Sequence, residues 1–290
     1  MKSIFLGAGG LLLCGCLVAS EAVAPGWVEI FDGRSLGGWA SADMSYWSVR
    51  DGAITGTSKE PTASNHYLVW QRGKPADFEL SLCFRIQGTP QANSGVQFRS
   101  KVQPNGFVEG YQADIARYAE HCGVLYDETP GRGLLAKRGQ RLCIDETGQR
   151  VTASFANGSD LFKVVRLDDW NEYHIVARGS WVSARLNGSL VWQVVDRDAS
   201  RRADEPGVIA LQLHSGPPMM DIPAISWVSQ GESGIIRRAR AGVVDGCGRG
   251  RDAVQGCRAV EVWRGPQPPR PLGGCPTGPR RFWTPPPWRL

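Results

Sequence analysis

Apolar and polar positions alternate with period two through much of the chain between Trp27 and Trp227. The run Phe78-Glu79-Leu80-Ser81-Leu82-Cys83-Phe84-Arg85-Ile86 keeps the alternation over nine residues, a pattern that turns one strand face to a core and the other away from it. Trp47 to Arg50 and Ala53 to Thr55 flank Asp51-Gly52, and Trp181 to Leu186 and Ser189 to Val195 flank Asn187-Gly188. Both dipeptides tolerate the positive φ angles of tight hairpin turns, so each predicts a β-hairpin. Further strands are expected at His66–Trp70, Gly95–Ser100, Gly110–Ile115, Glu172–Ala177 and Val208–His214. No stretch shows the 3.6-residue period of an amphipathic helix. About twelve short strands imply an all-β sandwich of two antiparallel sheets packed face to face.

The pattern ends near residue 231. The last 60 residues hold 11 Gly and 9 Pro, with Pro285-Pro286-Pro287 at the end. Such a segment buries too little apolar surface to offset its ordering entropy, so residues 231–290 are read as a disordered Gly/Pro/Arg-rich tail. The other readings are a basic anchor for anionic surfaces, or out-of-frame translation. The tail carries 11 Arg and 4 acidic residues, which leaves the first 230 residues with 22 basic and 24 acidic groups. A net charge of 22 − 24 = −2 there argues against a nucleic-acid partner.

At the other end, Lys2, the apolar stretch Ile4 to Val18 and Ala22-Val23-Ala24 read as a cleaved export signal over residues 1–24. Leu13-Cys14-Gly15-Cys16 offers an alternative, a bacterial lipoprotein signal with a lipid anchor at Cys16. Either reading places the mature protein outside the cytoplasm, periplasmic or extracellular. The globular domain is then residues 25–230, of unknown oligomeric state. It holds an odd number of cysteines, Cys83, Cys122 and Cys143, and no CxxC, so a fully paired disulfide framework and a zinc ribbon are not expected. Cys83 reads as plain core.

Candidate chemistry gathers between residues 93 and 132. Period two puts Gln97 and Arg99 on one strand face, and Gln112 and Asp114 on one face of the next. If the strands are neighbours, the four form a polar surface; the bland reading is a solvated sheet face. Tyr126-Asp127-Glu128 and Arg132 follow, adjacent carboxylates beside a Tyr and an Arg that can bind a hard cation or do acid/base work. Gln212 and His214 share a face at a strand end, with the imidazole at the sandwich rim. His66, His121 and His174 read as structural. Eight Trp and six Tyr in the domain suit the apolar faces of sugar rings, although most serve the core.

Taken in order, several motifs resemble one known family. Glu29-Ile30-Phe31-Asp32-Gly33-Arg34-Ser35-Leu36-Gly37-Gly38-Trp39 is similar to the opening of the 3-keto-disaccharide hydrolase domain. The likeness continues through Asn93-Ser94-Gly95-Val96-Gln97-Phe98-Arg99, Gly110-Tyr111-Gln112-Ala113-Asp114-Ile115, Leu125-Tyr126-Asp127-Glu128 and Leu211-Gln212-Leu213-His214-Ser215-Gly216. The resemblance implies a concanavalin-like jelly roll acting on an oligosaccharide or glycoside oxidised at C3. A C3 ketone acidifies the hydrogen at C2, so a base, a proton donor to the leaving oxygen and a positive group at the C3 oxygen would suffice for β-elimination and net hydrolysis. On that basis His214 or Asp114 is the expected base, and Arg99, or a divalent cation held by Asp114 and Glu128, the expected stabiliser of the enediolate. Tyr126, Gln97, Gln112, Gln212, Asp127 and Arg132 would bind and orient substrate. The alternative is a non-catalytic, lectin-like glycan-binding module. The chain departs from the family where Glu120-His121-Cys122-Gly123 replaces an aromatic pair, and where Met220-Asp221-Ile222-Pro223 sets a proline in the closing strand.

Overall fold

Both predicted hairpins form on positive-φ dipeptides: Asp51 and Gly52 at φ 49° and 76°, and Asn187 and Gly188 at φ 48° and 77°. A computed structural model describes residues 27–58, 60–201, 203–216, 225–228 and 260–263. Its strands are β1 (Trp27–Phe31), β2 (Trp39–Ala40), β3 (Trp47–Arg50), β4 (Ala53–Gly56), β5 (His66–Trp70) and β6 (Phe78–Arg85). They continue with β7 (Asn93–Val102), β8 (Val108–Ala116), β9 (Leu125–Asp127), β10 (Gly133–Ala136), β11 (Gln140–Ile144) and β12 (Arg150–Ser154). After the helical turn α1 (Gly158–Phe162) come β13 (Asn171–Arg178), β14 (Trp181–Leu186), β15 (Ser189–Asp196), β16 (Val208–Leu213), β17 (Ile225–Val228) and β18 (Val260–Trp263).

Two sheets result, and the fold is an all-β jelly-roll sandwich. One has seven strands in the order β10-β9-β8-β7-β16-β5-β2. The other runs β12-β11-β15-β14-β13-β6-β17-β4-β3, with β18 also beside β6 and β1 beside β18. Pairing is antiparallel except between β11 and β15, which run parallel. Alternation decides the core. Leu80, Leu82 and Phe84 of β6 and Tyr173 and Ile175 of β13 meet Val96 and Phe98 of β7 and Tyr111, Ala113 and Ile115 of β8. Their neighbours Gln97, Gln112 and Asp114 consequently point to the outer face of the seven-stranded sheet.

Two sequence expectations change here. Cys83 is disulfide-bonded, as is Cys143, while Cys122 is a buried free thiol. Within the tail read as disordered, Val260–Trp263 pairs with both β1 and β6, because Val-Glu-Val-Trp carries just enough alternation for a short strand. The rest of 231–290, the signal over 1–24 with Cys16, and the Met220–Pro223 break lie outside the described residues. Among the described residues, no helix is long and apolar enough to cross a membrane.

Candidate active site

The outer face of the seven-stranded sheet carries a directed chain of hydrogen bonds. Ser100 Oγ donates to Gln97 Oε1 at 3.2 Å, Gln97 Nε2 donates to Gln112 Oε1 at 2.8 Å, and Gln112 Nε2 donates to Asp114 Oδ1 at 2.5 Å. The other Asp114 oxygen meets His121 Nδ1 at 3.0 Å. Cross-strand register makes this possible: Gln97 lies opposite Gln112, and Gly95 opposite Asp114. Gly95 leaves room for the chain, since a Cβ there would stand 2.4 Å from Gln112 Cγ.

Gln212 of β16, paired on its other side with Tyr67 of β5, extends the same surface. Its Nε2 donates to Glu128 Oε1 at 3.3 Å and lies 3.5 Å from the Tyr67 hydroxyl. Its own Oε1 is buried without a hydrogen-bond partner among the described residues. A buried acceptor left open in this way suits a donor supplied by a ligand, such as a sugar hydroxyl. Glu128 reaches it from the end of β9, three strands away in the sheet.

Burial sets the protonation of this surface. It lifts Glu128 to about 7, helped by the negative charge of Asp114. It also lifts the Tyr67 hydroxyl to about 12 and raises Tyr126, which faces Glu128 and Asp114. Burial raises Asp114 too, against the pull of His121, while the hydrogen bond to the Asp114 carboxylate raises the His121 imidazole.

Gln97, Gln112, Asp114, Tyr126, Glu128 and Gln212 therefore come together as the alternation implies. His214 sits at the rim, exposed, with Nδ1 2.5 Å from the Ser215 carbonyl oxygen, close enough for its charge to act on Asp114. Arg99 does not join. It adopts φ 47° where the β7–β8 register slips, which takes its side chain out of alternation. The guanidinium instead donates to the carbonyls of Ala76, Gly179 and Ala203 and to Asp77. Asp127 and Arg132 are likewise elsewhere. Tyr126 pairs with Gln112 and Asp127 with Tyr111, so Asp127 lies on the opposite face. There it is bound by Arg132 and Arg201, and Arg132 also grips Asp196 and Asp198.

The expected divalent cation does not fit these residues as placed. Asp114 commits its two oxygens to Gln112 and His121, and among the described residues no three His, Cys, Asp or Glu side chains converge as a metal cradle.

Two residues of the site were not in the predicted set. Tyr67 lies on the outer face through simple alternation in His66–Trp70. His121 sits in a turn where periodicity says nothing; its only signal was that it stands in place of an aromatic residue. Two hollows flank the surface. One of about 530 Å³ is lined by His121, Val124 and Leu134 among others, and one of about 290 Å³ by residues Tyr126 to Gly133.

Solved structures similar to this chain include a candidate glycosyl hydrolase from Parabacteroides distasonis, 17% identical with a TM-score of 0.44, over 70% of this chain and 90% of that one. A carbohydrate-binding module, CBM66, from Bacillus subtilis is 13% identical with a TM-score of 0.42, over 66% and 91%. The laminarinase catalytic domain of Thermotoga maritima is 10% identical with a TM-score of 0.44, over 69% and 93%. No curated protein matches the chain. Residues 26–222 match the 3-keto-alpha-glucoside-1,2-lyase-like domain, and since that span is more than half of the chain, the protein belongs to this family.

Proposed function

We propose that the protein is an exported carbohydrate-active enzyme that cleaves 3-keto-glycosides by removing the C2 hydrogen and expelling the group at C1. The observation that carries this is Glu128, a carboxyl group held near neutrality beside the unpaired amide oxygen of Gln212 and the polar floor of Gln97, Gln112 and Asp114. A base with a pKa near the working pH combines proton affinity with an adequate ionised fraction. Glu128 takes the C2 proton, and the electron pair spreads onto the C3 oxygen as an enediolate. Tyr126 faces the same space and donates to that oxygen, while Gln212 accepts from a substrate hydroxyl. The pair then closes a C1=C2 double bond as the C1–O bond breaks, and addition of water to the enone completes hydrolysis.

This assignment moves the base from His214 and Asp114 to Glu128. The His214 ring lies at the rim against Ser215, and both Asp114 oxygens are already engaged. The test uses the purified protein with 4-nitrophenyl 3-keto-α-glucoside. Glu128→Gln should lower kcat/KM by about 10²–10⁴-fold with circular dichroism unchanged. Saturable sugar binding with no turnover by the wild-type protein would make it a glycan-binding module instead. The location outside the cytoplasm rests on residues 1–24, and fractionation of expressing cells followed by N-terminal sequencing checks it.

A further inference from the structure

His121 stands where the polar surface meets the larger hollow. Its Nδ1 is committed to Asp114 at 3.0 Å, which leaves Nε2 as the free nitrogen of the ring. Tyr118 and Tyr126 flank the imidazole, with ring centroids 5.6 and 6.4 Å away. The turn that presents it is braced from below. Arg138 donates to the carbonyls of Ala119, Cys122 and Gly158, and Gly123 N donates to Asp114 O at 3.0 Å. An imidazole fixed at one nitrogen by a buried carboxylate, and whose ring lines a hollow, is arranged to hand over a proton there.

The hollow itself has about 530 Å³, within the range of small-molecule sites. Val124 and Leu134 supply an apolar floor, and Glu120, Lys137, Gln140 and Asn157 a hydrogen-bonding rim. An apolar floor with a polar rim matches a sugar ring, which has C–H faces and hydroxyl edges. We infer that His121 is the general acid of this enzyme, protonating the departing glycosidic oxygen, and that the hollow beyond it receives the leaving group, a hydroxylated one such as a second sugar.

The inference rests on the elimination proposed above and adds its second half. As the C1–O bond breaks, its electron pair goes to the oxygen. The Nε2 proton of the imidazolium joins that oxygen, giving a neutral alcohol and a neutral imidazole. Glu128 is left carrying the C2 proton, and exchange with water resets both groups. No oxidant or reductant enters.

Leaving-group chemistry separates this role from a structural one. A 4-nitrophenolate leaves without a proton; an alkoxide does not. His121→Asn should therefore lose about 10²-fold in kcat/KM on methyl 3-keto-α-glucoside and on a 3-keto-disaccharide, but less than about 5-fold on the 4-nitrophenyl glycoside. His121→Gln serves as a second variant. The amide of His121→Asn can still donate to Asp114, so that variant should keep the melting temperature of wild type, and circular dichroism checks the fold of both. Leu134→Trp, which fills the hollow, should raise KM for the disaccharide about 10-fold and leave the methyl glycoside unaffected. Parallel losses by the His121 variants on all three substrates, or no loss on any, overturn the acid role. An unchanged disaccharide KM in Leu134→Trp overturns the subsite. If Glu128→Gln is inactive on every substrate while the His121 variants behave as wild type, the elimination stands and the inference alone falls. If the wild-type protein turns over none of them, both fall.

Discussion

Glu128 shows how one carboxyl group sets both pH behaviour and stability. Only its ionised form can take a proton, so on the 4-nitrophenyl glycoside, whose leaving group needs no acid, log kcat/KM should rise with unit slope below about pH 7 and level off above it, whereas on alkyl glycosides it should fall again as the His121 imidazolium is lost. Asp114 beside it and His121 bonded to Asp114, both raised, are the groups that would broaden this profile. Stability runs the other way. Its folded pKa of about 7 is above the ordinary 4.5, so its contribution is present below pH 4.5 and is lost as pH rises through 7. Glu128→Gln removes that loss. It should melt higher than wild type at pH 8, by roughly 2–4 °C for about 1 kcal/mol after solvent screening, and no higher at pH 5. A scanning calorimetry pair at the two pH values checks this. Much of this residue set was legible from period two, since Gln97, Gln112, Asp114 and Gln212 share a face as alternation requires. Arg99 was not legible, because a single left-handed φ breaks the parity on which the pattern depends. Asp127 was miscounted for the converse reason. Adjacent carboxylates in a sequence look like a pair, but in a strand they belong to opposite faces.

At the scale of elements, strands that carry a period or flank a tight turn could be read, and short strands with neither signal could not. His66–Trp70 appears with the expected bounds, and the strands expected at Gly95–Ser100 and Gly110–Ile115 form as Asn93–Val102 and Val108–Ala116, longer by one or two residues at each end. β9 and β10, with three and four residues, are too short to show a period; β9 pairs along the edge of β8, and β10 along β9. Those two strands frame the loop after Glu128, so the working end of the sheet was the least visible part of it. The close pairing of β7 and β8 gives a sharp test. Gly95→Ala would put a methyl group 2.4 Å from Gln112 Cγ, and Gln112 must swing away from Asp114. Overpacking of this kind costs about 1–3 kcal/mol. The variant should unfold at lower urea concentration and also lose activity.

At the scale of the molecule, the sandwich depends on contacts that join its two sheets at one end. Tyr111 of the seven-stranded sheet donates its hydroxyl to Asp196 Oδ2, at the end of β15 in the other sheet, at 2.5 Å. Arg132, from the loop after β9, binds Asp127 of its own sheet together with Asp196 and Asp198 across the gap. Arg99 makes a second link, from β7 to Asp77 before β6 and to Gly179 between β13 and β14. These arginines hold the frame on which the site is mounted, and none of the four carboxylates they hold, Asp77, Asp127, Asp196 and Asp198, hydrogen-bonds to the floor of the site. Arg132→Met would leave the fully buried Asp127 and Asp196 short of a counter-charge, a loss of about 3–5 kcal/mol in the folded state. Tyr111→Phe removes one hydrogen bond to a charged partner, for about 1.5–3 kcal/mol. In urea the Arg132 variant should therefore unfold first, the Tyr111 variant next and wild type last. Since Arg132 closes the loop that begins at Glu128, any folded fraction of Arg132→Met should also show a changed pH midpoint of kcat/KM, whereas Tyr111→Phe keeps the midpoint of wild type. A common shift in both variants would mean that Glu128 responds to sheet packing as a whole and not to the loop that carries it.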